Sequence, residues 1–197
     1  MMNNCLLCGV GGQGTVLASR LIAQAAMERR FFARTAETIG MAQRGGCVVS
    51  HVRIGDDCQS SIIPLGGADV LAGFEPGEAV RCLNYLKKNG LAVVSRTPVH
   101  PVMNSLTGEP YSADEMIEFL RGNAARLIVL DAYEIAKECA SARVLNVAIL
   151  GAVAASGELP VSLDDVEKAL RTKIKPQHLD MNLKALAIGA KAKEERL

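Results

Sequence analysis

Tryptophan is absent, and three tyrosines with four phenylalanines hold the aromatic share of the 197 residues to 4%. The core must therefore be made from the Ala, Val, Leu and Gly in which the chain is rich, with 49% apolar residues and a mean hydropathy of +0.18. That balance excludes a disordered chain. No run approaches the roughly 18 consecutive apolar residues of a membrane helix. Met1-Met2-Asn3-Asn4 has no basic stretch like that of a secretory signal. The expectation is a cytoplasmic protein without a membrane partner. Excess charge is missing too. Twenty-two basic and 21 acidic residues leave a formal +1, so nucleic acid is not an expected partner, because its phosphates call for concentrated Lys and Arg. The length suits one α/β domain spanning residues 1–197.

Cys5, Cys8, Cys47, Cys58, Cys82 and Cys139 are too few and too scattered for a disulfide framework. Cys5 and Cys8 spell C-x-x-C inside the apolar run Cys5-Leu6-Leu7-Cys8-Gly9, where small thiols suit a strand core. The four-cysteine ligand set of an iron–sulfur cluster is missing. His51, His100 and His178 have no ligand companions at short spacing, so no metal site is expected. No Ser/His/Asp order, G-K-[ST] sequence or carboxylate pair emerges, and no catalytic residue is assigned.

Residues 4–8 read as a buried strand, followed by a glycine turn and a helix over 15–28 with Leu17, Leu21 and Ala25 on one stripe. Strands are predicted over 31–35 and 47–54, the latter turning at Gly55-Asp56-Asp57 into a hairpin partner over 59–63. That hairpin makes the predicted sheet mixed rather than wholly parallel. Residues 68–74 read as a strand. Glu75-Pro76 opens a helix closed by Lys87, Lys88, Asn89 and Gly90, and a strand follows over 91–95. Ser112-x-x-Glu115 caps a helix ending near Gly122, and 126–131 returns to strand. Helices are predicted over 133–139, 145–156 and 163–173, the last behind the cap Ser162, and a final one runs from about Gln177. The charged end, residues 191–196, reads as solvated.

Gly9-Val10-Gly11-Gly12-Gln13-Gly14, with Thr15 opening the helix, fits G-x-G-x-x-G between a strand and a helix. Glycines permit the tight turn, while free N–H groups and the helix N-terminus favour a diphosphate or other anion. A turn that merely packs strand on helix is the alternative. A nicotinamide or flavin dinucleotide would want an acid about 20 residues further on. The chain offers Arg34, Thr35 and Glu37 there, and Arg34 suits a 2′-phosphate. Arg44, followed by Gly45 and Gly46, can fork onto a carboxylate or phosphate, or simply tie down its loop.

Taken together, Gly9–Gly14, Arg44-Gly45-Gly46, Gly66-Gly67-Ala68-Asp69-Val70-Leu71, Phe74-Glu75-Pro76 and the segment 146–152 resemble the gamma domain of 2-oxoacid:ferredoxin oxidoreductases over nearly the whole chain. Where that family usually has Tyr-Gly and an acid before the arginine, this chain has Ile39-Gly40 and Ala42. The loop Thr38-Ile39-Gly40-Met41-Ala42-Gln43-Arg44-Gly45-Gly46 is similar to the indolepyruvate oxidoreductase beta-subunit branch. Parallel crossovers near the N-terminus beside the hairpin over 47–63 predict a single three-layer α/β/α domain on a mixed, mostly parallel sheet. The resemblance implies oxidative decarboxylation of an aryl pyruvate with coenzyme A to acyl-CoA, carbon dioxide and reduced ferredoxin. Thiamine diphosphate and 4Fe-4S clusters would belong to a larger partner subunit, through which ferredoxin is reached. This chain would hold no cofactor alone, would be inactive alone, and has a homodimer open to it when isolated. Gly9, Gly11, Gly12, Gln13, Gly14, Thr15, Arg44, Gly45 and Gly46 would shape the coenzyme A or subunit-contact surface. A self-contained NAD(P)- or flavin-binding oxidoreductase is the alternative.

Overall fold

The computed structural model describes residues 2–39, 46–56, 58–100 and 111–195. β1 (Asn3–Val10) leads through the glycine turn into α1 (Thr15–Glu28), and β2 (Ala33–Ile39) and β3 (Cys47–Ile54) follow. β4 (Ala68–Gly73), α2 (Pro76–Cys82), a 3-10 turn (Leu83–Tyr85) and β5 (Leu86–Ser95) form the next unit. Then come α3 (Ala113–Asn123), β6 (Arg126–Leu130), α4 (Ala132–Cys139), a second 3-10 turn (Ala142–Val144), α5 (Leu145–Ala155), α6 (Leu163–Lys173) and α7 (Pro176–Ala190). The sheet order is β2-β3-β1-β4-β5-β6. β1, β4, β5 and β6 run parallel, and β3 lies antiparallel between β1 and β2.

Strand alternation splits the core in two. Cys5 and Leu7 point into one cluster with α1 and α5 through α7, while Leu6 and Cys8 point into another with α2 and α3. The result is the expected three layers. Both cysteines are fully buried, and desolvation pushes the Cys5 thiol well above its ordinary range.

The mixed sheet has a different origin from the predicted one. Residues 58–63 form no strand, because β1 and β2 already occupy both sides of β3. Side chains hold the segment instead: Arg34 Nε donates to the Cys58 carbonyl at 2.6 Å, and Arg53 donates to those of Ser60 and Ile62. The Ile63 N–H donates to His51 Nδ1 at 3.2 Å. This also removes the ribose position of a dinucleotide fold. β2 lies at the sheet edge rather than beside β1, and Arg34 is engaged with Cys58 and stacked on Phe32.

Three further expectations are corrected. α2 stops at Cys82, and Lys87 through Gly90 belong to β5, where an irregular register is tied by a Lys87–Asp69 ion pair. The buried stripe of α1 is Ala18, Leu21, Ile22 and Ala25, while Leu17 is 36% exposed. The charged end is docked rather than merely solvated. The Glu195 N–H donates to the Leu127 carbonyl of β6 at 2.8 Å, Glu195 pairs with Arg121, and Glu194 pairs with Arg126.

α5 and α7 cross with their backbones touching. Side chains at Gly151 or Gly189 would run into the carbonyls of Leu186 and Ala148.

Candidate functional site

The carboxyl ends of β1, β4, β5 and β6 share one rim. After β1 the chain turns to one face of the sheet with α1, and after β4 to the other with α2. In open α/β sheets, this reversal is where ligands enter.

Gly12 and Gly14 both have positive φ, at 102° and 83°. At Gly14 the requirement is double, since a methyl group would also sit 2.6 Å from the Asn146 amide nitrogen. Gln13 turns inward rather than toward a ligand. Its Oε1 accepts from the Val10 N–H at 2.7 Å, and its Nε2 donates to the Phe74 carbonyl at 2.9 Å, which straps the ends of β1 and β4 together. Gly9 lies beneath that strap and Thr15 is buried. The Gly11 N–H donates to the Gly46 carbonyl at 2.9 Å, so the two glycine loops of the sequence meet. Arg44 and Gly45 lie outside the described residues.

α1 starts at Gly14 without a side-chain cap and without an acid in its first turn. Its N-terminal N–H groups and the positive end of its dipole are therefore left for something else. α2, α3, α4 and α6 are capped by Glu75, Ser112, Asp131 and Ser162, and all four carry first-turn acids.

The start of α1 faces a cavity of about 420 Å³, walled by the glycine turn, Thr97 after β5, Tyr133 at the start of α4, and Arg143 and Asn146 around the start of α5. Asn146 is 5% exposed. Its Oδ1 accepts from the Val147 N–H, while its Nδ2 has no acceptor among the described residues. That nitrogen is not sealed in, because the buried unpartnered side-chain atoms among the described residues are Ser50 Oγ and Glu78 Oε2. Asn146 lines the cavity, and its Nδ2 lies against Gly14 at the helix start. Reasoning from the glycine loop alone missed Asn146, Arg143 and Thr97. The signal for Asn146 was its place at the head of segment 146–152.

The opposite face of the same rim is acidic and closed. Glu75 accepts from the Tyr111 hydroxyl at 2.5 Å and from the Glu78 N–H at 2.9 Å, and Glu78 pairs with Arg81. Desolvation and the Glu78 carboxylate push the Cys47 thiol up to about 12. The described residues gather no group of three His, Cys, Asp or Glu side chains able to hold a metal.

A family model, pyruvate ferredoxin/flavodoxin oxidoreductase, matches residues 4–192. The chain is 42% identical over 190 residues to the indolepyruvate oxidoreductase subunit IorB of Archaeoglobus fulgidus, covering 96% of this chain and 94% of that one. Its fold is similar to that of the pyruvate oxidoreductase subunit PORC of Thermotoga maritima, with a TM-score of 0.74 at 24% identity over 99% of both chains. The 2-oxoglutarate:ferredoxin oxidoreductase of Magnetococcus marinus, solved with 2-oxoglutarate, coenzyme A and succinyl-CoA bound, gives a TM-score of 0.66 at 20% identity, covering 96% of this chain and 30% of that one.

Proposed function

Because this chain belongs to the pyruvate ferredoxin/flavodoxin oxidoreductase family, we propose that it is the cluster-free subunit of an indolepyruvate-type enzyme. That enzyme oxidatively decarboxylates an aryl 2-oxoacid with coenzyme A, giving acyl-CoA, carbon dioxide and reduced ferredoxin. Thiamine diphosphate and 4Fe-4S clusters reside on a larger companion subunit, where thiamine supplies the carbanion chemistry. Membership in an oxidoreductase complex follows from the family; the substrate class follows the name of the 42% identical relative.

This chain contributes binding and orientation. The α1 N-terminus and its glycine turn receive the diphosphate of coenzyme A, with Asn146 Nδ2 donating beside them and Arg143 facing the same cavity. Gln13 keeps the turn rigid, so its donors stay aimed. Arg44, two residues from the Gly46 carbonyl that receives the Gly11 N–H, adds a second cation from the neighbouring loop. The carrying observation is the uncapped start of α1 with Asn146 Nδ2 beside it, which has no acceptor among the described residues.

Calorimetric titration of the purified complex with coenzyme A tests this reading. Asn146→Ala should weaken binding by about 10- to 150-fold, as for one charge-assisted hydrogen bond of roughly 1.5–3 kcal/mol, while assembly persists. Wild-type affinity in Asn146→Ala would sink the site. Unchanged affinity and unchanged assembly in Arg44→Ala would remove Arg44 from both roles.

A further inference from the structure

Beyond Arg143 and Asn146 lies a second cavity, of about 520 Å³. Through Leu17 and Lys173 it runs on into a third, of about 370 Å³, between α1 and β2. The second and third cavities form one groove along the outer side of α1.

Its charge is one-sided. Arg20, Arg143, Lys173 and Lys175 stand along it beside the imidazole of His178, and no carboxylate is among its described lining residues, in a chain whose formal charge is only +1. Of these five, Arg20 alone has a carboxylate partner within 4 Å among the described residues, Glu37 at 3.7 Å. α7 adds to the potential, since it begins at Lys175 with neither a side-chain cap nor a first-turn acid.

Part of the floor is apolar. In the α1 stripe Leu17, Arg20, Gln24 and Met27, which recurs at steps of three and four, Leu17 and Met27 are the apolar members. Leu17 and Met27 are 36% and 51% exposed, and Met181 and Ile174 continue the apolar floor on the other wall. An apolar floor under a cationic rim complements a polypeptide segment that carries apolar anchors on one side and carboxylates on the other.

We propose that this groove docks an acidic, amphipathic segment of the companion subunit. The proposal rests on the reading above that the chain works inside a heteromeric oxidoreductase. It adds where the two chains meet, and by what chemistry.

Lysine acetylation of the purified complex and of the isolated chain, read by mass spectrometry, tests it. In the complex, Lys173 and Lys175 should react at least about fivefold more slowly, while Lys88, at the opposite end of the sheet, reacts alike in both; the Lys173→Glu/Lys175→Glu double variant should assemble about tenfold more weakly, and wild-type assembly should weaken as salt is raised. Circular dichroism and Tm establish that the isolated double variant is folded. Equal labelling in the two states, or undiminished assembly of the folded variant, overturns the proposal. Protection of the same lysines in the isolated chain by ADP or inorganic phosphate overturns it in favour of a small anion. A wild-type chain that assembles with no companion sinks both this proposal and the reading beneath it, whereas the other outcomes sink the docking site alone.

Discussion

Two helix starts at the carboxyl rim of the sheet, those of α2 and α1, are handled in opposite ways. On the α2 face, Glu75 caps its own helix and takes the Tyr111 hydroxyl, so negative charge is supplied from within. At the start of α1, glycine occupies the cap position, and the Asn146 Nδ2 packed against it has no acceptor among the described residues. An N-terminus needs an electron-rich neighbour. Where the sequence provides one, the helix end is finished; where it withholds one beside a cavity, the end is left open to water or to a ligand.

The contrast can be broken hardest at Gly14. Gly14→Ala imposes a left-handed backbone that costs about 1–2 kcal/mol and drives a methyl group into the Asn146 amide. Urea denaturation should show at least that loss of stability, and calorimetry of the assembled complex should show coenzyme A affinity reduced by tenfold or more. Glu75→Ala examines the finished face. Loss of the cap and of the Tyr111 partner should cost roughly 0.5–2 kcal/mol by the same denaturation assay, with coenzyme A affinity unchanged. A drop in affinity there would show that the two faces are not independent.

The smallest effect is expected far from the rim, at the docked C-terminal segment. Hydrogen bonds from Arg126 and Arg121 hold the Glu194 and Glu195 carboxyls below the usual carboxylate range. A group depressed on folding stabilises above its unfolded pKa and loses that contribution as pH falls through the folded pKa. The double variant Glu194→Gln/Glu195→Gln should therefore differ from wild type at pH 7 and converge with it in acid below the carboxylate range. These groups are partly exposed, so the difference in Tm should correspond to under about 1 kcal/mol.

Local chemistry made much of the architecture legible. α1, β3 and α6 begin and end where periodicity, β-branching and the Ser162 cap indicated. Where the reading failed, partners distant in sequence had decided. Nothing local says that β3 inserts between β1 and β2, and that insertion is what denies 59–63 a strand to pair with. Likewise, Lys87 and Lys88 suit a helix end by charge, yet the pairing of Leu86 with Ala68 draws them into β5. The glycine turn was visible as an anion candidate, and Gln13 reads with it as part of the coenzyme A or subunit-contact surface, since its sequence position does not say which way its amide turns. In the fold that amide bonds Val10 and Phe74. Asn146 was hidden because its chemistry depends on lying against Gly14, 132 positions earlier in the chain.

The bridge from Glu195 to Leu127 bears on how copies of this molecule behave when crowded. Stacking sheet upon sheet without end requires two open borders, one to give and one to receive. Here one border, β6, is met at Leu127 by the backbone of Glu195, so that edge is not open along its full length.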